Sequence, residues 1–80
     1  MEQEKLPEEK IKLDFIDKEY KYFRSACMFT PLQLEIFDYR TKDHKSIIET
    51  SFLVHKSEST VNKEIKKIKD KIRKVIRESY

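Results

Sequence analysis

Ser59, Asn62, Lys63 and Lys66 follow one another at spacings of three, one and three in the last third of the chain, with Lys67 alongside. On a helix, steps of three and four bring side chains to one side. These residue types suit a polyanion with readable edges. An Asn amide can pair bidentately with adenine, Ser and Thr hydroxyls donate to bases or phosphates, and Lys reaches phosphate or guanine. Ser57 and Thr60 open the same stretch and can offer hydroxyls and backbone N–H groups to a phosphate, with Lys56 just ahead of them. The competing reading of such a face is a solvated, charge-rich helix surface.

Charge is distributed unevenly along the 80 residues. The formal net charge is +3, yet residues 56–80 carry nine Lys/Arg against four Asp/Glu, while residues 1–30 carry six against seven. The excess positive charge therefore coincides with the polar face just described. On the other side of the same stretch, Val61, Ile65, Ile68, Ile72 and Val75 recur at spacings of four, three, four and three, with Ile76 beside them. That spacing predicts one long amphipathic helix with an aliphatic seam. Two arrangements satisfy the seam equally. Ile68, Ile72, Val75 and Ile76 can pair with a second copy in a homodimer, or the seam can lie against an N-terminal helix of the same chain.

Other chemistry finds little footing. His44, His55 and Cys27 lack the i, i+3 or i, i+4 spacing of helical metal ligands, so no metal is expected. Cys27 sits beside Ala26 on an apolar stripe and reads as a small buried hydrophobe. Asp14, Asp17 and Glu19 read as a solvated helix face, because so short a chain has little core with which to desolvate a catalytic pair. Gly is absent, which excludes glycine-rich phosphate loops and disfavours hairpin-rich sheets. No enzyme and no cofactor are expected. One cysteine allows no internal disulfide, and no apolar run approaches the ~20 residues of a membrane span. A cytoplasmic protein with no membrane association is the expectation.

The elements that must carry the polar face can be placed from caps and periodicity. Residues 1–6 read as a flexible arm. A helix over 8–28 is predicted, starting near Pro7 or Asp14, with Leu13, Ile16, Tyr20, Phe23 and Cys27 on one stripe. Ile11, Leu13 and Phe15 alternate in the competing manner of a strand. Thr30-Pro31-Leu32-Gln33 combines a cap, a proline at the first helical position and a capping-box glutamine. Leu32, Ile36 and Tyr39 then repeat, with Phe37 widening the face. A shorter helix holds Ile47, Ile48 and Phe52 and ends near Leu53 or Val54, and Ser57 caps the long helix. The fold class expected is all-α: a small bundle of about four helices in one domain (1–80). A helix-turn-helix unit over 30–78 ends in the long reading helix.

The block Phe29-Thr30-Pro31-Leu32-Gln33-Leu34-Glu35-Ile36-Phe37-Asp38-Tyr39-Arg40 resembles the opening helix of the four-helical helix-turn-helix domains in sigma factor region 4 and LuxR-type regulators. Ser57-Glu58-Ser59-Thr60-Val61 is similar to the start of their reading helix, with Ile65, Ile68 and Ile72 at matching apolar positions. The resemblance spans about residues 29–72. It implies sequence-specific binding of double-stranded DNA by a small bacterial or phage-type transcription regulator, dimerisation, and contact with RNA polymerase. Lys56, Ser57, Ser59, Thr60, Asn62, Lys63, Lys66 and Lys67 would then meet DNA. Three features differ from the family pattern. Lys45-Ser46-Ile47-Ile48-Glu49 lacks the family's small residue and Phe52-Leu53-Val54-His55-Lys56 contains no Gly, which together predict a longer turn or a shifted third helix. Glu64 falls where the family faces DNA, so its carboxylate repels phosphate unless it meets a cytosine amine or a neighbouring Lys. The alternative from another class is a protein-interaction module that docks a partner or dimerises through the C-terminal seam without binding DNA.

Overall fold

A side-chain hydroxyl starts each of the last three helices. Thr30 Oγ1 accepts from Gln33 N at 3.2 Å, Ser46 Oγ from Glu49 N at 3.1 Å, and Ser57 Oγ from Thr60 N at 3.1 Å. At the first two, Gln33 and Glu49 reach back to the capping residue's own N–H, closing full boxes. The computed structural model describes Leu13 and residues 15–79. These form α1 (Asp17–Ala26), α2 (Pro31–Thr41), α3 (Ile47–Val54) and α4 (Glu58–Ser79), with no strand among the described residues. The all-α expectation is met.

The first helix is shorter than the predicted span of 8–28. Phe15 and Ile16 are not helical, α1 begins at Asp17, and it ends at Ala26, with Met28 at a left-handed φ of 53°. Ile16 has no side-chain acceptor, so only Glu19 contributes a reciprocal bond here, taking Ile16 N–H at 3.2 Å. Ile16 was expected on the buried stripe and is instead 65% exposed. Leu13 is buried and Phe15 packs on the core. Leu13 and Phe15, two of the three residues in that alternation, thus face inward without lying in a strand, and Ile11 lies outside the described residues. The expected arm at 1–6 and the helix start near Pro7 or Asp14 lie outside the described residues.

Phe37 lies at the centre of the bundle, with no solvent exposure. Its ring stacks on Tyr20 at 5.6 Å and 3°, and meets Phe29 at 4.9 Å and Phe15 at 6.2 Å. Tyr20 then reaches past the ring to donate from its hydroxyl to Asp38 Oδ1 at 2.6 Å. Arg24 donates to both oxygens of the same carboxylate at 3.1 Å, so α1 is fixed to α2 by a bidentate pair above a ring stack. Burial raises the Asp38 carboxyl, but the hydrogen bonds from Arg24 and Tyr20 and the charges of Arg24 and Lys42 outweigh it and lower the group. Its contribution is therefore complete above the unfolded value of about 3.9, and is lost as pH falls through the lower folded value.

α4 packs against α1, α2 and α3. Val61, Ile68 and Ile72 have no exposure and Ile65 only 8%, so the seam is filled by this chain's own core. Cys27 is buried beside it, and desolvation pushes its thiol up to about 11. It stays protonated at neutral pH and behaves as a hydrophobe.

Beneath α3 the core contains a polar residue. Thr50 has no exposure and its hydroxyl has no hydrogen-bond partner. Replacing it with the isosteric Val removes the desolvation penalty and keeps the shape. Thr50→Val is expected to stabilise the fold by about 1 kcal/mol, read as a higher urea midpoint. An unchanged or lower midpoint would show that the hydroxyl has a partner.

Candidate nucleic-acid interface

Three residues, His55–Ser57, separate α3 from α4. The expected lengthening of a glycine-free turn is not seen, and the reason is local. His55 itself takes the left-handed conformation, φ 58° and ψ 43°, and its N–H bonds back to Phe52 O at 3.3 Å. Lys56 N–H returns to Ser51 O at 3.1 Å. His tolerates this region better than bulkier residues, so it does here what Gly does at most helix ends. A β-branched residue cannot. His55→Val is expected to destabilise the protein by roughly 1–2 kcal/mol, while His55→Asn stays near the wild type. Equal midpoints for the Val and Asn variants in thermal unfolding would contradict this account of the turn.

The turn delivers α4 with its apolar seam inward, and the residues opposite the seam must face outward. Ser59, Asn62, Lys63, Lys66 and Lys67 are all exposed, as are Lys56 and Ser57, and Thr60 is half-buried. The sequence-derived set is therefore brought together on one side of one helix, except at its start. Ser57 Oγ accepts from Thr60 N and donates to Thr60 Oγ1 at 3.0 Å, so the cap engages the hydroxyl expected to reach outward.

Further along, the sequence reading missed that the basic row continues. Lys74 and Arg77 are exposed, and both lie at helical steps from Lys63 and Lys66. Asp70 interrupts the row and pairs with Arg73 at 3.1 Å. The same three- and four-residue stepping could have found them. At 22 residues α4 is about 33 Å long, and Lys63 and Arg77 lie about 21 Å apart along its axis.

Glu64 does not stand on the outward face. Its side chain is 17% exposed, Oε1 accepts from Gln33 Nε2 at 3.0 Å, and Oε2 lies 3.6 Å from Lys67 Nζ. Of the possibilities the sequence left open, pairing with a neighbouring Lys is the one seen, and Gln33 on α2 was not anticipated. No local signal could reveal a partner 31 residues away.

Beside this face, α3 exposes apolar side chains. Phe52 is 75% exposed, Ile48 54% and Leu53 44%, while Thr50, Ser51 and Val54 point inward. No helix among the described residues is long and apolar enough to cross a membrane. Comparison of the chain with family models, with curated proteins and with solved structures gives no match.

Proposed function

We propose that this protein binds duplex DNA sequence-specifically through the outward side of α4, as a small transcription regulator of bacterial or phage type. The observation that carries the reading is the exposure of Ser59, Asn62, Lys63 and Lys66 together on one helix, directly after a three-residue turn from α3. Helix, short turn and basic second helix are the parts with which such units enter the major groove. Lys56, Lys63, Lys66 and Lys67 hold phosphates, while Ser59, Thr60 and Asn62 sample base edges. Ser57 fixes the helix start and offers less to a phosphate than an uncommitted hydroxyl would.

Binding to duplex DNA that weakens steeply with salt, followed by selection of a preferred site from random duplexes, tests the reading. Asn62→Ala is expected to lose affinity for the selected site by roughly 1–3 kcal/mol and to bind random duplexes as the wild type does. Equal loss on both would remove Asn62 from a reading role.

A homodimer would set two α4 helices one turn of DNA apart. Ile68 and Ile72 are occupied within the chain, which leaves Ile76, 38% exposed, and its surroundings for a second copy. The second reading, a protein-interaction module, draws support from Phe52, Ile48 and Leu53, whose exposure on α3 suits a protein surface better than water. An RNA polymerase subunit is one partner such a surface could serve. Sedimentation with and without duplex DNA separates a DNA-bound species from self-association or protein docking alone.

A further inference from the structure

The amide of Gln33 joins three charged or polar elements of the fold. It is 3% exposed. Its Oε1 accepts from Thr30 N at 3.1 Å and from Lys71 Nζ at 2.6 Å, while Nε2 donates to Glu64 Oε1 at 3.0 Å. This orientation is the only one that chemistry permits. Rotated by half a turn, the amide would aim its N–H groups at an ammonium and a backbone N–H, and its oxygen at a carboxylate. Lys71 is itself fixed from two further sides, donating to Met28 O at 3.3 Å and lying 5.8 Å from the centre of the Phe29 ring.

We infer that Gln33 is a positioning residue for the DNA-facing side of α4, holding the Glu64 carboxylate inward against α2 and away from phosphate. The inference rests on the DNA-binding reading above. α4 carries Glu64 only one residue from Lys63 and two from Lys66. An unrestrained carboxylate there would repel the backbone that those lysines are meant to hold, and would bind Lys67 in its place. With Oε1 committed to Gln33, the carboxylate is held inward against α2, and Lys67 keeps one weak contact at 3.6 Å.

Gln33→Glu separates positioning from folding better than truncation does. A Glu at this place still accepts from Thr30 N and Lys71, so the capping box survives. It cannot donate to Glu64, and it sets two carboxylates against each other. Glu64 is then driven outward toward Lys67 and the DNA.

Gln33→Glu is expected to bind duplex DNA about tenfold more weakly at fixed salt, with a flatter salt dependence as Lys67 is diverted. The double variant Gln33→Glu/Glu64→Gln is expected to recover wild-type affinity to within about twofold. Circular dichroism and urea midpoints establish that every variant is folded where binding is measured. Full affinity in folded Gln33→Glu, with only the midpoint shifted, would overturn the inference and leave Gln33 a purely structural role. Weak binding that Glu64→Gln does not repair would overturn it as well. Wild-type protein with no salt-dependent duplex binding would instead defeat the reading itself, and the inference with it.

Discussion

Phe37→Ala is expected to destabilise the fold by about 4–5 kcal/mol and to lower its urea midpoint sharply. Truncating a buried Phe typically destabilises by about 3–5 kcal/mol. A chain of 80 residues has a total stability of about 4–12 kcal/mol at the usual per-residue range. The upper half of the Phe37 effect applies here, because the ring has no exposure and supports Tyr20, Phe29 and Phe15 at once. Losing it also removes the floor beneath the Tyr20–Asp38–Arg24 pairing that ties α1 to α2. Far-UV circular dichroism and urea titration read the result. A cooperative transition with a midpoint near that of the wild type would show that the core is organised around another residue.

The second large effect concerns binding. Each lysine held to a phosphate releases counterions, so the association constant varies with salt to the power of about −0.9 per contact. Removing two contacts in Lys63→Ala/Lys66→Ala is expected to flatten the slope of log affinity against log salt by about 1.8. The same relation gives a loss of roughly 30-fold at 0.15 M salt, shrinking toward none as salt approaches 1 M. Both side chains are exposed and neither belongs to the core, so the unfolding midpoint should barely move. A double variant with the wild-type slope would place the phosphate contacts elsewhere, with Lys74 and Arg77 the next to test.

Two helix starts were legible, because Thr30 and Ser57 have the side-chain oxygen a cap requires and Thr30 has Gln33 three residues later. These are short-range relations, written within four consecutive residues. The seam from Val61 to Ile72 was legible for a similar reason, since a long helix repeats its message at every turn. Ser46 and Glu49 cap α3 in the same way as Thr30 and Gln33 cap α2 and went unread, as did the start of α1 at Asp17.

What failed to show in the sequence depends on distant partners or on a single torsion. Ile16 leaves the buried stripe expected of it because α1 starts late, and an apolar stripe does not mark where a helix begins. On α3 the larger apolar residues, Ile48 and Phe52, face outward while Thr50 and Ser51 are buried. No rule based on hydrophobicity predicts that inversion. For the site, residue types and their common face were readable from spacing. The direction of Glu64 was not, because Gln33 decides it from another helix.

Met28, His44 and His55 adopt positive φ, and the chain contains no glycine to relieve them. That feature bears on the denatured ensemble as much as on the native fold. Glycine is the residue that gains most freedom when a chain unfolds, and this chain has none to release. Its unfolded ensemble is correspondingly restricted, which narrows the entropy gap that a small hydrophobic centre must close. The strain at three helix ends is the counterpart of that restriction. Converting those ends to glycine would relax the folded chain and liberate the unfolded one together, so the two effects largely cancel in equilibrium stability. They need not cancel in time: a looser helix end closes and opens at different rates, and the change would be seen in folding kinetics before it was seen in a melting curve.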